Sequence, residues 1–145
     1  MQMNPKISIA GRHIGLDYSP YVIAELSANH NGRLETALKI IEEAKKAGAD
    51  AVKLQTYTAD TMTLDIDHGA FKVEDPNSLW AGKTLYQLYQ LAYTPWEWHA
   101  PIMARAQSHG MLCFSTPFDE TAVDFLESLQ VPAYKVASFE NTDIP

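Results

Sequence analysis

Two lysines stand inside apolar runs of an acidic chain: Lys53 in Ala51-Val-Lys-Leu-Gln-Thr56 and Lys135 in Ala133-Tyr-Lys-Val-Ala-Ser138. Lysine is rarely taken into such surroundings unless an anion meets it there. Their matched placement predicts fixed cations for a phosphate or carboxylate. The plainer alternative, that each lysine snorkels to solvent or pairs with a structural carboxylate, stays open. On a strand, Gln55 shares the face of Lys53, while Val52 and Leu54 take the other.

A carboxylate also stands inside an apolar run, where it needs a partner such as a nearby lysine. Glu25, in Ile23-Ala-Glu-Leu-Ser27, could serve as a general base that activates water, or as a buried partner for Lys53. The residues alone leave both readings open. Ser115-Thr-Pro-Phe118 follows another apolar run, and hydroxyls and backbone N–H groups at a strand-to-helix turn hold anions. These are also ordinary turn residues. Ser138 and Glu140 lie three and five residues beyond Lys135. A regular strand would face both away from it, so they reach the site only through a bend or a loop.

Other reactive types read as structural. His30 in Asn29-His-Asn-Gly32 is a turn residue before it is a ligand. His13, His68, His99 and His109 show no metal-ligand spacing. Cys113, inside Met111-Leu-Cys-Phe-Ser115 with no cationic neighbour in sequence, reads as core packing. Of Trp96 and Trp98, one is expected to pack inward and the other to face the long loop before them.

Strands and helices must position these groups. Residues 6–14 alternate around Gly11-Arg12 and predict a short hairpin. Tyr21–Ser27, Ala51–Thr56, Met111–Ser115 and Ala133–Ser138 read as four buried strands. Between the first two, Leu34, Ala37, Leu38, Ile41 and Ala44 share one helical face over Arg33–Ala47, with Glu42 and Lys46 paired at i,i+4 and Gly48 ending the helix. Thr94-Pro-Trp-Glu97 predicts a capping box for a helix reaching about His109, with Pro101 kinking it or delaying its start. Asp119 is expected to cap a helix carrying Val123, Phe125, Leu126 and Leu129. The βα connection Tyr57–Tyr93 is far longer than the usual span of about 2–6 residues, the mark of a lid or an oligomer contact.

Strand–helix alternation allows a doubly wound sheet or a barrel. No G-x-G-x-x-G follows the first strand, and polar residues end every strand, so the N-terminal portion of a (βα)8 TIM barrel, preceded by the hairpin, is predicted. At 145 residues the chain is shorter than the roughly 250 of a closed barrel. A net charge of −7 argues against nucleic-acid or anionic-membrane surfaces. One cysteine and no long apolar run point to a cytoplasmic chain without a membrane span.

Taken in order, Ile-Ala-Glu25-Leu-Ser-Ala-Asn-His-Asn-Gly32, Ala-Val-Lys53-Leu-Gln-Thr56, Phe-Ser-Thr116-Pro-Phe118 and Ala-Tyr-Lys135-Val-Ala-Ser138-Phe-Glu140 resemble the sialic acid synthase family. Glu-Leu-Ser-Ala-Asn-His-Asn-Gly, Gln-Thr-Tyr-Thr-Ala-Asp and Thr-Pro-Trp-Glu-Trp-His look closer to its pseudaminic acid synthase branch than to N-acetylneuraminate synthases.

The resemblance implies a transferase that condenses phosphoenolpyruvate with an N-acylated amino sugar to give a nine-carbon keto acid and phosphate. It implies that Lys53, Lys135, Thr116 and Ser138 bind phosphoenolpyruvate, that Gln55 and Glu140 touch the sugar, and that Glu25 helps activate water. It also implies a divalent metal, Mn or Mg, whose histidine ligands lie beyond residue 145, and a homodimer in which an antifreeze-like domain covers a partner's site. Residues 1–145 would then be the first part of the barrel domain, inactive alone. An N-acetylneuraminate or legionaminic acid synthase, a Schiff-base lysine aldolase and a non-catalytic half-barrel assembly unit are the alternatives.

Overall fold

The computed structural model describes residues 5–27 and 30–142. The hairpin forms from Lys6–Ile9 (β1) and Arg12–Gly15 (β2). Its two-residue turn puts Ala10 and Gly11 at φ 47° and 83°, the left-handed pair that matches the twist of tightly joined strands.

Three parallel strands follow: Ile23–Glu25 (β3), Ala51–Thr56 (β4) and Leu112–Pro117 (β5), side by side in chain order. β3 is shorter than the apolar run suggests. Its pairing with β4 ends with Leu26 N–H donating to Lys53 O at 2.8 Å, and Asn31 and Gly32 then turn the chain at φ 52° and 62°.

The expected fourth strand, Ala133–Ser138, does not form. Only Tyr134 bridges Ser115, and Lys135 N–H donates to Ser115 O at 3.1 Å. A parallel strand needs a ladder of neighbours, and the far side of this segment meets no strand among the described residues. That single bridge still decides the architecture. It puts the fourth segment beside β5, so four successive elements lie in sequence order, as in a TIM barrel; a dinucleotide-binding sheet would send the fourth strand back beside the first.

Leu34–Lys46 (α1) links β3 to β4 and buries Ala37 and Ile41 completely. Gly48, at φ 93°, ends it: Gly48 N–H donates to Lys45 O and Ala49 N–H to Ala44 O, both at 3.0 Å. The Glu42–Lys46 pair is not made. Lys46 reaches Glu43 at 2.7 Å, while Glu42 pairs with Arg105 of the neighbouring helix His99–Ser108 (α4). Glu42 sits where α1 packs on α4, so a cross-helix cation wins over one along its own helix.

The capping box at Thr94 is also absent, for Thr94 is buried with its hydroxyl unpartnered. A 3-10 turn, Trp96–Trp98, precedes α4 instead, and Pro101 falls in the first helical turn, where a missing N–H loses no bond. A capping box does form earlier. Thr84 N–H and Gln87 N–H each donate to the other residue's side chain at 3.1 Å, opening Leu85–Ala92 (α3).

The long connection is compact. Its short helix Ala59–Met62 (α2) is tied to α3 by the Tyr86 hydroxyl, which donates to Asp60 at 2.8 Å. Glu120–Ser128 (α5) is capped as expected, with Ala122 N–H donating to Asp119 Oδ1 at 3.0 Å.

The core lies between helices and sheet, where Val52, Leu54 and Cys113 meet Ala37, Ile41, Ile102 and Ala106. The hairpin is tied to the N-terminal end of β4. Arg12 pairs with Asp50 and lies 4.8 Å from the centre of the Tyr21 ring, and Val22 N–H donates to Asp50 Oδ2 at 2.8 Å. The C-terminal strand ends are thereby left for chemistry.

Candidate functional site

Strand register sorts the side chains into two faces. Val52 and Leu54 enter the core under the helices, so Lys53 and Gln55 face the other way, toward the barrel interior. Glu25 is registered with Lys53, Phe114 with Lys53, and Thr116 with Gln55; registered residues of parallel strands share a face. Tyr134 is registered with Ser115 on the helix side, and its hydroxyl reaches Glu127 of α5. Lys135, the next residue, therefore points inward. Glu25, Lys53, Gln55, Thr116 and Lys135 thus share one face.

Lys53 Nζ lies 2.9 Å from Glu25 Oε1, with the lysine side chain 12% exposed and the glutamate 67%. The hydrogen bond from Lys53, then its charge, holds the Glu25 carboxyl below the usual carboxylate range, and the charge of Lys135 pulls the same way. Both lysines therefore act on one carboxylate. Thr116 is buried and Gln55 half-buried beside them. Around the rim, Lys135 and Glu140 border a cavity of about 330 Å³ with Pro117, Phe118, Val123 and Val136.

The parity problem at Ser138 and Glu140 resolves as a bend. The chain leaves the Tyr134 bridge, turns at Ser138 and enters the 3-10 turn Glu140–Thr142, returning Glu140 to the cavity of Lys135 with Oε2 buried. Ser138 is exposed in that turn, and no hydrogen bond among the described residues ties it to the lysines.

Other candidates fall into structural roles. His30 is a buried turn residue whose ring centre lies 6.5 Å from that of Trp98, and burial pulls it below the usual histidine range. Trp98 packs on the core, whereas Trp96 turns to the long connection and donates to Tyr57 O at 3.3 Å. Burial pushes the Cys113 thiol up to about 12, which removes it as a nucleophile. Among the described residues, no group of three or more His, Cys, Asp or Glu is placed to hold a metal.

Sequence reasoning missed one set of residues. Ser115 was expected at an anion-binding turn, yet it faces the helices, hydrogen-bonded to Thr56, which also meets His99. Strand parity separated Ser115 from Thr116; nothing local pointed to His99.

The NeuB family profile matches residues 40–145, which include both lysines, Gln55, Thr116, Ser138 and Glu140. The chain belongs to the NeuB family. Among curated relatives of this NeuB-family chain, pseudaminic acid synthase from Campylobacter jejuni subsp. jejuni serotype O:2 is 53% identical over 127 residues, 88% of this chain and 36% of that protein. Pseudaminic acid synthase from Helicobacter pylori is 46% identical over 125 residues, 86% of this chain and 36% of its own length.

Among solved structures, the N-acetylneuraminic acid synthetase of Leptospira borgpetersenii serovar Hardjo-bovis, in complex with citrate, superimposes with a TM-score of 0.75 at 28% identity. It covers 95% of this chain and 43% of that one. The NeuB-family chain thus spans little more than a third of the length of these two pseudaminic acid synthases.

Proposed function

We propose that this chain supplies the phosphoenolpyruvate-binding wall of a pseudaminic acid synthase-like enzyme. The enzyme condenses phosphoenolpyruvate with a 2,4-diacetamido-trideoxy hexose, giving a nine-carbon keto acid and phosphate. The observation that carries this reading is the placement of Lys53, ion-paired with Glu25, and of Lys135 on one interior face at the C-terminal strand ends. That a structural relative holds citrate, a small polyanion, accords with it.

Lys53 and Lys135 hold the phosphate and carboxylate of phosphoenolpyruvate, Thr116 and Ser138 donate hydrogen bonds, and Gln55 and Glu140 contact the sugar. The cations are already in place, so the site stabilises anionic charge with little reorganisation. The arriving anion competes with Glu25 for Lys53. A carboxylate released from that bond is a stronger base, and Glu25 then accepts a proton from water. The enol carbon of phosphoenolpyruvate attacks the sugar aldehyde, which leaves C2 electron-poor. Water adds to C2, and the adduct collapses with C–O cleavage to release phosphate. The family's divalent metal, Mn or Mg, would be ligated by residues outside those described. The working form is a homodimer in the cytoplasm.

The test is phosphoenolpyruvate-dependent phosphate release, scored with the mass of the keto acid. The 145-residue chain alone is expected to show no turnover. The same residues in a polypeptide of the relatives' full length are expected to turn over the diacetamido sugar. Turnover of N-acetylmannosamine alone would sink the branch and keep the family; phosphate release by the 145-residue chain would sink the division of labour.

A further inference from the structure

Three side chains remote in sequence form a hydrogen-bonded chain on the helix side of the sheet, directly behind the interior-facing residues. His99 Nε2 lies 2.8 Å from Thr56 Oγ1, which lies 2.7 Å from Ser115 Oγ. None of the three is more than 1% exposed. The other ring nitrogen, Nδ1, faces Trp96 O at 3.2 Å and Pro95 O at 3.4 Å.

Carbonyl oxygens only accept, so Nδ1 carries the ring proton. Burial pulls the imidazole below the usual histidine range, which favours the neutral ring. Nε2 then keeps its lone pair, the Thr56 hydroxyl donates to it, and the Ser115 hydroxyl donates to Thr56 Oγ1. One direction of donation runs through the whole chain.

Its position gives it a use. Thr56 is the last residue of β4, immediately before the Tyr57–Tyr93 connection; Pro95 and Trp96 come just after it. The ring of His99 therefore spans the base of that excursion, with one nitrogen on each end. Trp96 Nε1–H closes the same base by donating to Tyr57 O. Phe125 of α5 backs the arrangement, its ring stacked on Trp96 at 4.7 Å and edge-on to His99 at 5.2 Å. On the opposite face of the same strands, Gln55 and Thr116 are the immediate neighbours of Thr56 and Ser115.

We propose that His99 is a positioning residue that clips the two ends of the Tyr57–Tyr93 segment together at the rim of the site, presenting that segment to an amino-sugar substrate in one registration. The clip stands on the hydrogen bonds above; its consequence for the sugar rests on the synthase reading.

Two variants test it. His99→Phe keeps the aromatic contact with Phe125 and loses both hydrogen bonds, while His99→Gln keeps one acceptor and one donor. In hydrogen exchange of the 145-residue chain, His99→Phe is expected to speed exchange about tenfold in 57–65 and 84–96, with protection of β4 and β5 retained. His99→Gln restores much of the difference, and the imidazole nitrogen spectrum of the unaltered chain shows the Nδ1–H tautomer. In a polypeptide of the relatives' full length, His99→Phe raises KM for the sugar several-fold, leaves KM for phosphoenolpyruvate in place, and is rescued by Gln.

An Nε2–H tautomer overturns the proposal. So does exchange that is unchanged in the segment, or faster everywhere including α1, or not restored by Gln. An unchanged sugar KM beside an opened segment overturns the substrate half. Absence of any sugar turnover, with the exchange and tautomer results as expected, counts against the synthase reading and not against the clip.

Discussion

Glu25 and Lys53 face each other across the first two parallel strands, 2.9 Å apart, and the lysine is the more enclosed of the two. The cation is thus built into the sheet, while its internal counter-ion sits toward solvent and can be displaced by a ligand. Lys135 adds its field from the fourth segment.

Replacing either cation should remove anion stabilisation while sparing the fold. Lys53→Met and Lys135→Met, each in a polypeptide of the relatives' full length, are expected to lower kcat/KM for phosphoenolpyruvate by about 10²–10³-fold, the scale for loss of one preorganised electrostatic group. Steady-state phosphate release measures it. A change under about threefold at both positions would place the anion elsewhere.

Glu25 should titrate low. Folding lowers its pKa, so the ion pair favours the folded state above the ordinary carboxylate pKa, and that contribution disappears as pH falls through the lowered value. Carboxyl carbon chemical shifts of Glu25 against pH should show a midpoint below the usual range, moving upward in Lys53→Met. The same midpoint in both proteins would mean that the pair is absent in solution.

Core truncation should separate buried from exposed positions. Ile41 and Leu54 are at most 1% exposed and pack between α1 and the sheet. Ile41→Ala and Leu54→Ala are each expected to destabilise by about 2–5 kcal/mol in urea unfolding. Leu79, 96% exposed, should change stability by no more than about 0.5 kcal/mol on the same replacement.

The start of α5 should depend on one side chain. Asp119→Ala removes the acceptor for Ala122 N–H and is expected to cost about 1 kcal/mol, while Asp119→Ser keeps an N-cap oxygen and most of that stability. Thermal unfolding of the two variants checks the difference; equal losses would show that the cap is not what Asp119 supplies.

Cys113 should behave as a reporter of unfolding. Its thiol is buried and held near 12, so a thiol reagent at neutral pH should label it only as fast as the core opens. Rapid labelling of the folded chain would contradict its place between sheet and helices.

Local rules act over a few residues, and what they govern was legible in the sequence. The Ala51–Thr56 run is a strand over those same residues, Gly48 ends α1, Asp119 caps α5, and i,i+2 parity puts Lys53 and Gln55 on one face. The motifs that carry this chemistry were sufficient to name the family, because each occupies one strand end. Tertiary structure decided which remote groups meet. Thr56 finds His99 43 residues away, and Glu42 prefers Arg105, 63 residues away, to the lysine one turn along its own helix. It also moved the capping box from Thr94 to Thr84, turned Ser115 toward the helices, and left the fourth segment with a single bridge. The physical reason is common to all of these. A hydrogen bond or ion pair is chosen among every partner that packing brings within reach, and a burial pattern states which face is covered without stating by what.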